Sequence, residues 1–93
     1  MVVGVLTLRL AVFEAQSLKD KRRVVRSLKD RIAARHNVSI AEVDDQDRHQ
    51  FATLGLAMVS NDPRFVQSAL DRIVEEVRRS ATAILLAHDV EIQ

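Results

Sequence analysis

The sequence predicts an α+β fold of six elements in the order strand, helix, strand, strand, helix, strand. Three observations predict it. The chain opens on an apolar alternation of period two, and two later segments repeat apolar residues at helical spacing behind a capping residue. There are also only two Gly and one Pro among 93 residues, which excludes collagen-like, linker-like and turn-rich β-sandwich chains.

Residues 2–13 place Leu6, Leu8, Leu10 and Val12 on one face and Val5, Thr7, Arg9 and Ala11 on the other, the pattern of a half-buried strand. Ser17-Leu-Lys-Asp20 then reads as a capping box, with the Ser17 oxygen as N-cap and Asp20 in the place of the usual Glu. Behind it Leu18, Val25, Leu28 and Ile32 predict a helix over 18–35, ending near Asn37, a residue that tolerates a left-handed C-terminal position. Val38, Ile40 and Val43 mark a second strand. Gln50 to Val59 marks a third, with Leu54, Leu56 and Met58 on its core side, and Asp44-Asp45-Gln46-Asp47-Arg48 reads as the hairpin between them. Asp62 caps a second helix with Pro63 at its first position, and Val66, Leu70, Ile73 and Val77 form its apolar stripe. Ala81 to Ile92 closes as a fourth strand, with Ile84, Leu86, Val90 and Ile92 expected to turn inward.

Two βαβ halves in this order match the ferredoxin-like βαββαβ sandwich: a four-stranded antiparallel sheet with two helices on one face. The length suits a single domain spanning 1–93. The other sheet face would carry Val5, Thr7, Ala11, Thr53, Gly55 and Ala57, which are small and nearly uncharged. It reads either as exposed sheet or as the surface of a homodimer or other partner. Hydrophobic residues at 47% and charged ones at 29% fit a soluble globular chain rather than a disordered one. Without Cys there is no disulfide framework or thiol chemistry. The longest uncharged run, His49 to Asn61, is too short for a membrane span, and Arg9 interrupts the apolar start that a signal peptide would need; a cytoplasmic location is expected.

Four ordered stretches carry a family resemblance that runs nearly end to end. They are Ser17-Leu-Lys-Asp-Lys-Arg-Arg23, Asn37-Val-Ser-Ile-Ala-Glu-Val-Asp-Asp-Gln-Asp47, Ala52-Thr-Leu-Gly55 and Val59-Ser-Asn-Asp62. Together they resemble the YlxP-like family, also called the domain of unknown function 503. The resemblance implies a small bacterial protein of ferredoxin-like fold, with no activity established for the family as a whole. Its genes often neighbour those for translation initiation factor 2 and ribosome-binding factor A, which implies a setting in ribosome assembly or translation.

Charge is unevenly spread. Residues 19–35 hold eight Lys and Arg against Asp20 and Asp30, so this segment is +6 in a chain that sums to +1. On a helical projection Lys19, Arg22, Arg23 and Arg26 fall within about 100° of one another, with Lys29 at the margin, opposite the apolar stripe. Such a stripe is either a solvated helix face or a phosphate-binding one. With the family setting it points to structured RNA, ribosomal RNA or a ribosomal subunit, as partner. Lys21 falls in the apolar arc and is expected to snorkel outward. An anionic membrane surface is not expected, because the opposite face is needed for the core. Direct base reading is not expected either, since the two central strands offer Val5, Thr7, Arg9, Thr53, Gly55 and Ala57, with Phe51 at most at one end, in place of the stacking aromatics of an RNA recognition motif.

The acidic hairpin, Asp44, Asp45 and Asp47 with His49, reads as turn chemistry or as a docking surface for a basic partner. Its spacing fits no calcium loop, and no metal or other cofactor is expected. The chain lacks a nucleophile elbow, a Walker loop and an HExxH pattern. Acylphosphatases share this fold and cradle phosphate in a Gly-rich first loop, where this chain has Phe13-Glu-Ala-Gln-Ser17. The expectation is a non-catalytic accessory protein binding RNA through its first helix. The alternative is a protein adaptor, or a dimeric small-molecule sensor of the ACT type, working through the open sheet face.

Overall fold

The computed structural model describes residues 1–93 and contains β1 (Val2–Ala11), α1 (Leu18–Arg35), β2 (Ser39–Asp44), β3 (Phe51–Ser60), α2 (Pro63–Arg78) and β4 (Ile84–Ile92). The sheet order is β2-β3-β1-β4 and every neighbouring pair is antiparallel. This is the ferredoxin-like arrangement expected from the sequence.

The helices start where their caps place them. Ser17 Oγ accepts from the Asp20 backbone N–H at 3.1 Å. The Asp20 carboxylate reaches past the N-cap and accepts from the Gln16 N–H at 3.0 Å, a variant of the expected reciprocal box. Asp62 Oδ1 accepts from the Arg64 N–H at 2.9 Å ahead of α2, whose first residue is Pro63. The end of α1 differs from expectation: it passes through His36 in an extended conformation (φ −135°) and feeds directly toward β2. The left-handed residue is Asp45 (φ 65°), in the β2–β3 hairpin, and not Asn37.

Even-numbered residues of β1 and β3 face the helices, and Leu6, Leu8, Leu10, Leu54, Leu56 and Met58 are buried. They join Val25, Leu28 and Ile32 of α1 and Val66, Leu70, Ile73 and Val77 of α2 in one cluster. Their removal from water is the main stabilising term of the fold. On β4 the inward set differs from the expected one. Arg9 pairs with Ala87 but Leu10 pairs with Leu85, so Leu86 is an extra residue in a β-bulge. The bulge turns Leu85 toward the core beside Val90, and leaves Ile84 and Leu86 about half exposed.

Gly4 is where α2 comes closest to the sheet. A Cβ on it would collide with the Val66 side chain and lie 3.0 Å from Leu70 Cδ1. Gly4→Ala should therefore force α2 away from β1 and cost about 1–3 kcal/mol, read as a lower urea midpoint. A wild-type midpoint would show that α2 yields freely at this point.

Candidate nucleic-acid interface

The phase of α1 follows from four positions at spacings of four, three and four: Lys21, Val25, Leu28 and Ile32, all buried. Lys21 does not snorkel outward. It is 1% exposed, and its Nζ donates to Glu42 Oε2 at 2.8 Å, to the Asp45 carbonyl at 2.8 Å and to the Gln46 carbonyl at 3.3 Å. All three ammonium donors thus have partners, as a charge taken out of water requires. Apolar periodicity alone could not reveal this, because the acceptors lie more than twenty residues along the chain.

With Lys21 inside, its neighbours must point out. Lys19, Arg22, Arg23 and Arg26 are exposed and Lys29 is half-buried. None of the five has a carboxylate within 4 Å. The structure brings Arg22, Arg26 and Lys29 together along a groove beside the edge strand β2, with Val25, Asp30 and Glu42. Lys19 and Arg23 stand on the crest of the helix.

The acidic hairpin is divided between the two sides of the sheet. Asp45 wraps the edge: its carbonyl meets Lys21 on the helix side, while its Oδ2 accepts from Thr53 Oγ1 at 2.7 Å. This contact covers Thr53, a residue expected on the open face, down to 8% exposure. Arg48 approaches Asp45 Oδ1 at 3.5 Å and lies over the Phe51 ring, 4.3 Å from its centre. Asp44, Asp47 and His49 remain exposed. Of the four candidate docking residues, then, Asp45 is engaged within the fold and the other three face solvent. His36, at the end of α1, bonds to both Glu76 carboxylate oxygens at 3.1 and 3.2 Å, tying α1 to α2. His88 lies on β4 opposite Leu8 and is exposed. No helix of the chain is long and apolar enough to cross a membrane.

These features define a small ferredoxin-like protein whose most cationic surface is its first helix. A family described as "Protein of unknown function (DUF503)" matches residues 3–90. The protein described as "Uncharacterized protein YlxP" of Bacillus subtilis (strain 168) is 32% identical over 73 residues, which cover 78% of this chain and 79% of that one. The chain belongs to this YlxP-like DUF503 family. Among solved structures, a protein provisionally described as a chlorite dismutase superposes with a TM-score of 0.56 at 17% identity, over 99% of this chain. The matched region is 44% of that longer chain, and the likeness concerns the fold alone.

Two tests follow from the hairpin geometry. Lys21→Met keeps the buried stem but strands Glu42 and two carbonyls. Its unfolding free energy should fall by about 3 kcal/mol; unchanged stability in urea would mean that the ion pair does not hold the hairpin. The Thr53 hydroxyl, assisted by Arg48, holds the Asp45 carboxyl below its ordinary value. A carboxyl depressed by folding adds stability above about pH 4 that is lost as pH falls through the lowered value. Thr53→Val should move the Asp45 titration upward in carbonyl-carbon NMR, and make that loss smaller and complete at higher pH. An unmoved titration would assign the depression to another group.

Proposed function

We propose that this protein is a non-catalytic accessory of ribosome assembly or translation that contacts structured RNA through the outward face of α1. One observation carries the reading. Five cations stand on that face without a carboxylate partner, while the cation in their midst, Lys21, is fully satisfied inside the fold. Unpaired guanidinium groups on a rigid helix keep their forks available for bidentate contacts with phosphate oxygens. Screening confines such interactions to about 8–10 Å, so the unpaired cations on the surface of α1 attract a polyanion although the molecule is nearly neutral. The gene setting implied by family membership supplies the context, and the one aromatic on β1 and β3, Phe51, is taken up by Arg48 and Phe13, which favours contact with backbone over base.

The test is co-sedimentation with ribosomal subunits at low and moderate salt, beside a variant carrying Arg22→Glu, Arg23→Glu and Arg26→Glu. Wild type should travel with a subunit in a salt-sensitive manner and the variant should stay in the supernatant. With four or five phosphates contacted, affinity for a purified structured RNA should fall with a log–log salt slope of roughly −3 to −4. If wild type binds no subunit under gentle conditions, the reading fails. The open sheet face then becomes the candidate contact for a protein partner or a second copy, with Val43 about half exposed beside Gly55 and Val59 about half exposed farther along β3.

A further inference from the structure

The face assigned above is one flank and the crest of α1; the other flank is also cationic. A valley of about 200 Å³ opens between α1 and α2, with Leu28 and Ile32 at its base and the His36–Glu76 contact across it. Its walls carry Arg31 and Arg35 from α1 and Arg79 from α2. Beyond Arg35 a second hollow continues past His36 to Arg72. Arg31, Arg72 and Arg79 have no carboxylate within 4 Å, and Arg35 has only a 3.9 Å approach to Glu76. Glu76, the acidic group lining the valley, is already held by His36. Nearby Glu75 is paired with Arg78 at 2.6 Å.

α1 is therefore a ridge with a cation-lined groove on each side: Arg22, Arg26 and Lys29 toward β2, and Arg31, Arg35 and Arg79 toward α2. In the β2-side groove Glu42 is neutralised by Lys21, which leaves Asp30 as the single uncompensated acid there. Within each flank the α1 cations recur every three or four residues, about 4.5–6 Å along the axis, a spacing that lets each track follow one backbone. A single strand would fill one groove and leave the other idle. It would also seek a run of stacking partners, and the chain offers none: Phe13 and Phe51 pack against each other at the end of the sheet where α1 starts, 5.9 Å between ring centres, and the half-exposed Phe65 stands alone in the hollow beyond Arg35.

Resting on the reading that α1 meets RNA, we propose that its ligand is duplex RNA, with the two strands in the two grooves and α1 laid along the wide, shallow minor groove. A helix with its side chains is about 10–12 Å across and does not enter the deep, narrow groove of A-form RNA. Ser27 and Asp30, the short polar residues on the outer side of α1, then face the 2′-hydroxyls that line the minor groove.

The test measures binding of three labelled probes: a 20-base-pair RNA duplex, the same duplex as DNA, and single-stranded polyuridine. Wild type is compared with a valley variant (Arg31→Glu, Arg35→Glu, Arg79→Glu) and a β2-side variant (Arg22→Glu, Arg26→Glu, Lys29→Glu). Glutamine versions of both replace any that fail to show the wild-type circular dichroism. Wild type should bind RNA duplex at least tenfold more tightly than either other probe. Each variant should lose at least tenfold on duplex RNA and flatten the salt slope by about 2 to 3. Should the valley variant keep wild-type affinity and slope while the β2-side variant fails, the two-groove arrangement is wrong and the α1 reading stands. Equal wild-type binding to duplex and polyuridine also overturns the arrangement. No binding of wild type to any RNA overturns both.

Discussion

The ammonium of Lys21 is the interaction on which the rest of the structure depends. A lysine buried to 1% exposure is tolerated only because Glu42 supplies the opposite charge and two hairpin carbonyls take the remaining donors. The acceptors come from β2 and from the turn after it, so the helix cannot rotate and the hairpin cannot open without stranding a charge. This contact fixes the phase of α1 together with the buried Val25, Leu28 and Ile32. It also draws the Asp45 carbonyl to the helix side of the sheet while the Asp45 side chain crosses to Thr53 on the other, and the left-handed backbone at Asp45 makes that crossing possible.

Local signals in the sequence were sufficient wherever local physics decides. Ser17, Asp62 and Pro63 set the helix starts, the alternation of Leu6, Leu8 and Leu10 set the buried face of β1, and the span of α1 follows from its stripe and cap. The misreadings arise where distant segments decide. Lys21 looked like a misplaced surface residue because Glu42 and Asp45 are not its neighbours in sequence. On β4 a strict period of two assigned Ile84 and Leu86 inward, and one inserted residue in the ladder opposite Arg9 and Leu10 reversed that choice in favour of Leu85.

The candidate surface was legible to the same degree. Lys19, Arg22, Arg23, Arg26 and Lys29 share one helix, and a projection of that helix finds them. The valley beyond them was not legible, because Arg79 and Arg72 come from α2 and meet Arg31 and Arg35 only when both helices lie on the sheet. The acidic hairpin shows the converse. As a string it is a block of like charge that reads as turn chemistry or as a docking surface, and folding takes Asp45 out of that block to hold the edge of the sheet.

The scaffold itself does not select a ligand; the residues placed on it do. An α+β sandwich of this kind offers a sheet face and a helix face. A single-strand reader of RNA invests in the sheet face, with aromatic rings on the two central strands. Here those strands present Val5, Thr7, Gly55 and Ala57, none of which can stack on a base, and their one aromatic, Phe51, is taken up by Arg48 and Phe13, while the helix side holds the unpaired guanidinium groups. Guanidinium groups recognise phosphate geometry and are indifferent to base identity. Selectivity on this side must then come from the spacing of the grooves flanking α1, and that spacing is set by how deeply α1 is seated. Lys21 and the buried stripe of Val25, Leu28 and Ile32 seat the helix, so residues that touch no ligand govern the shape that a ligand would meet.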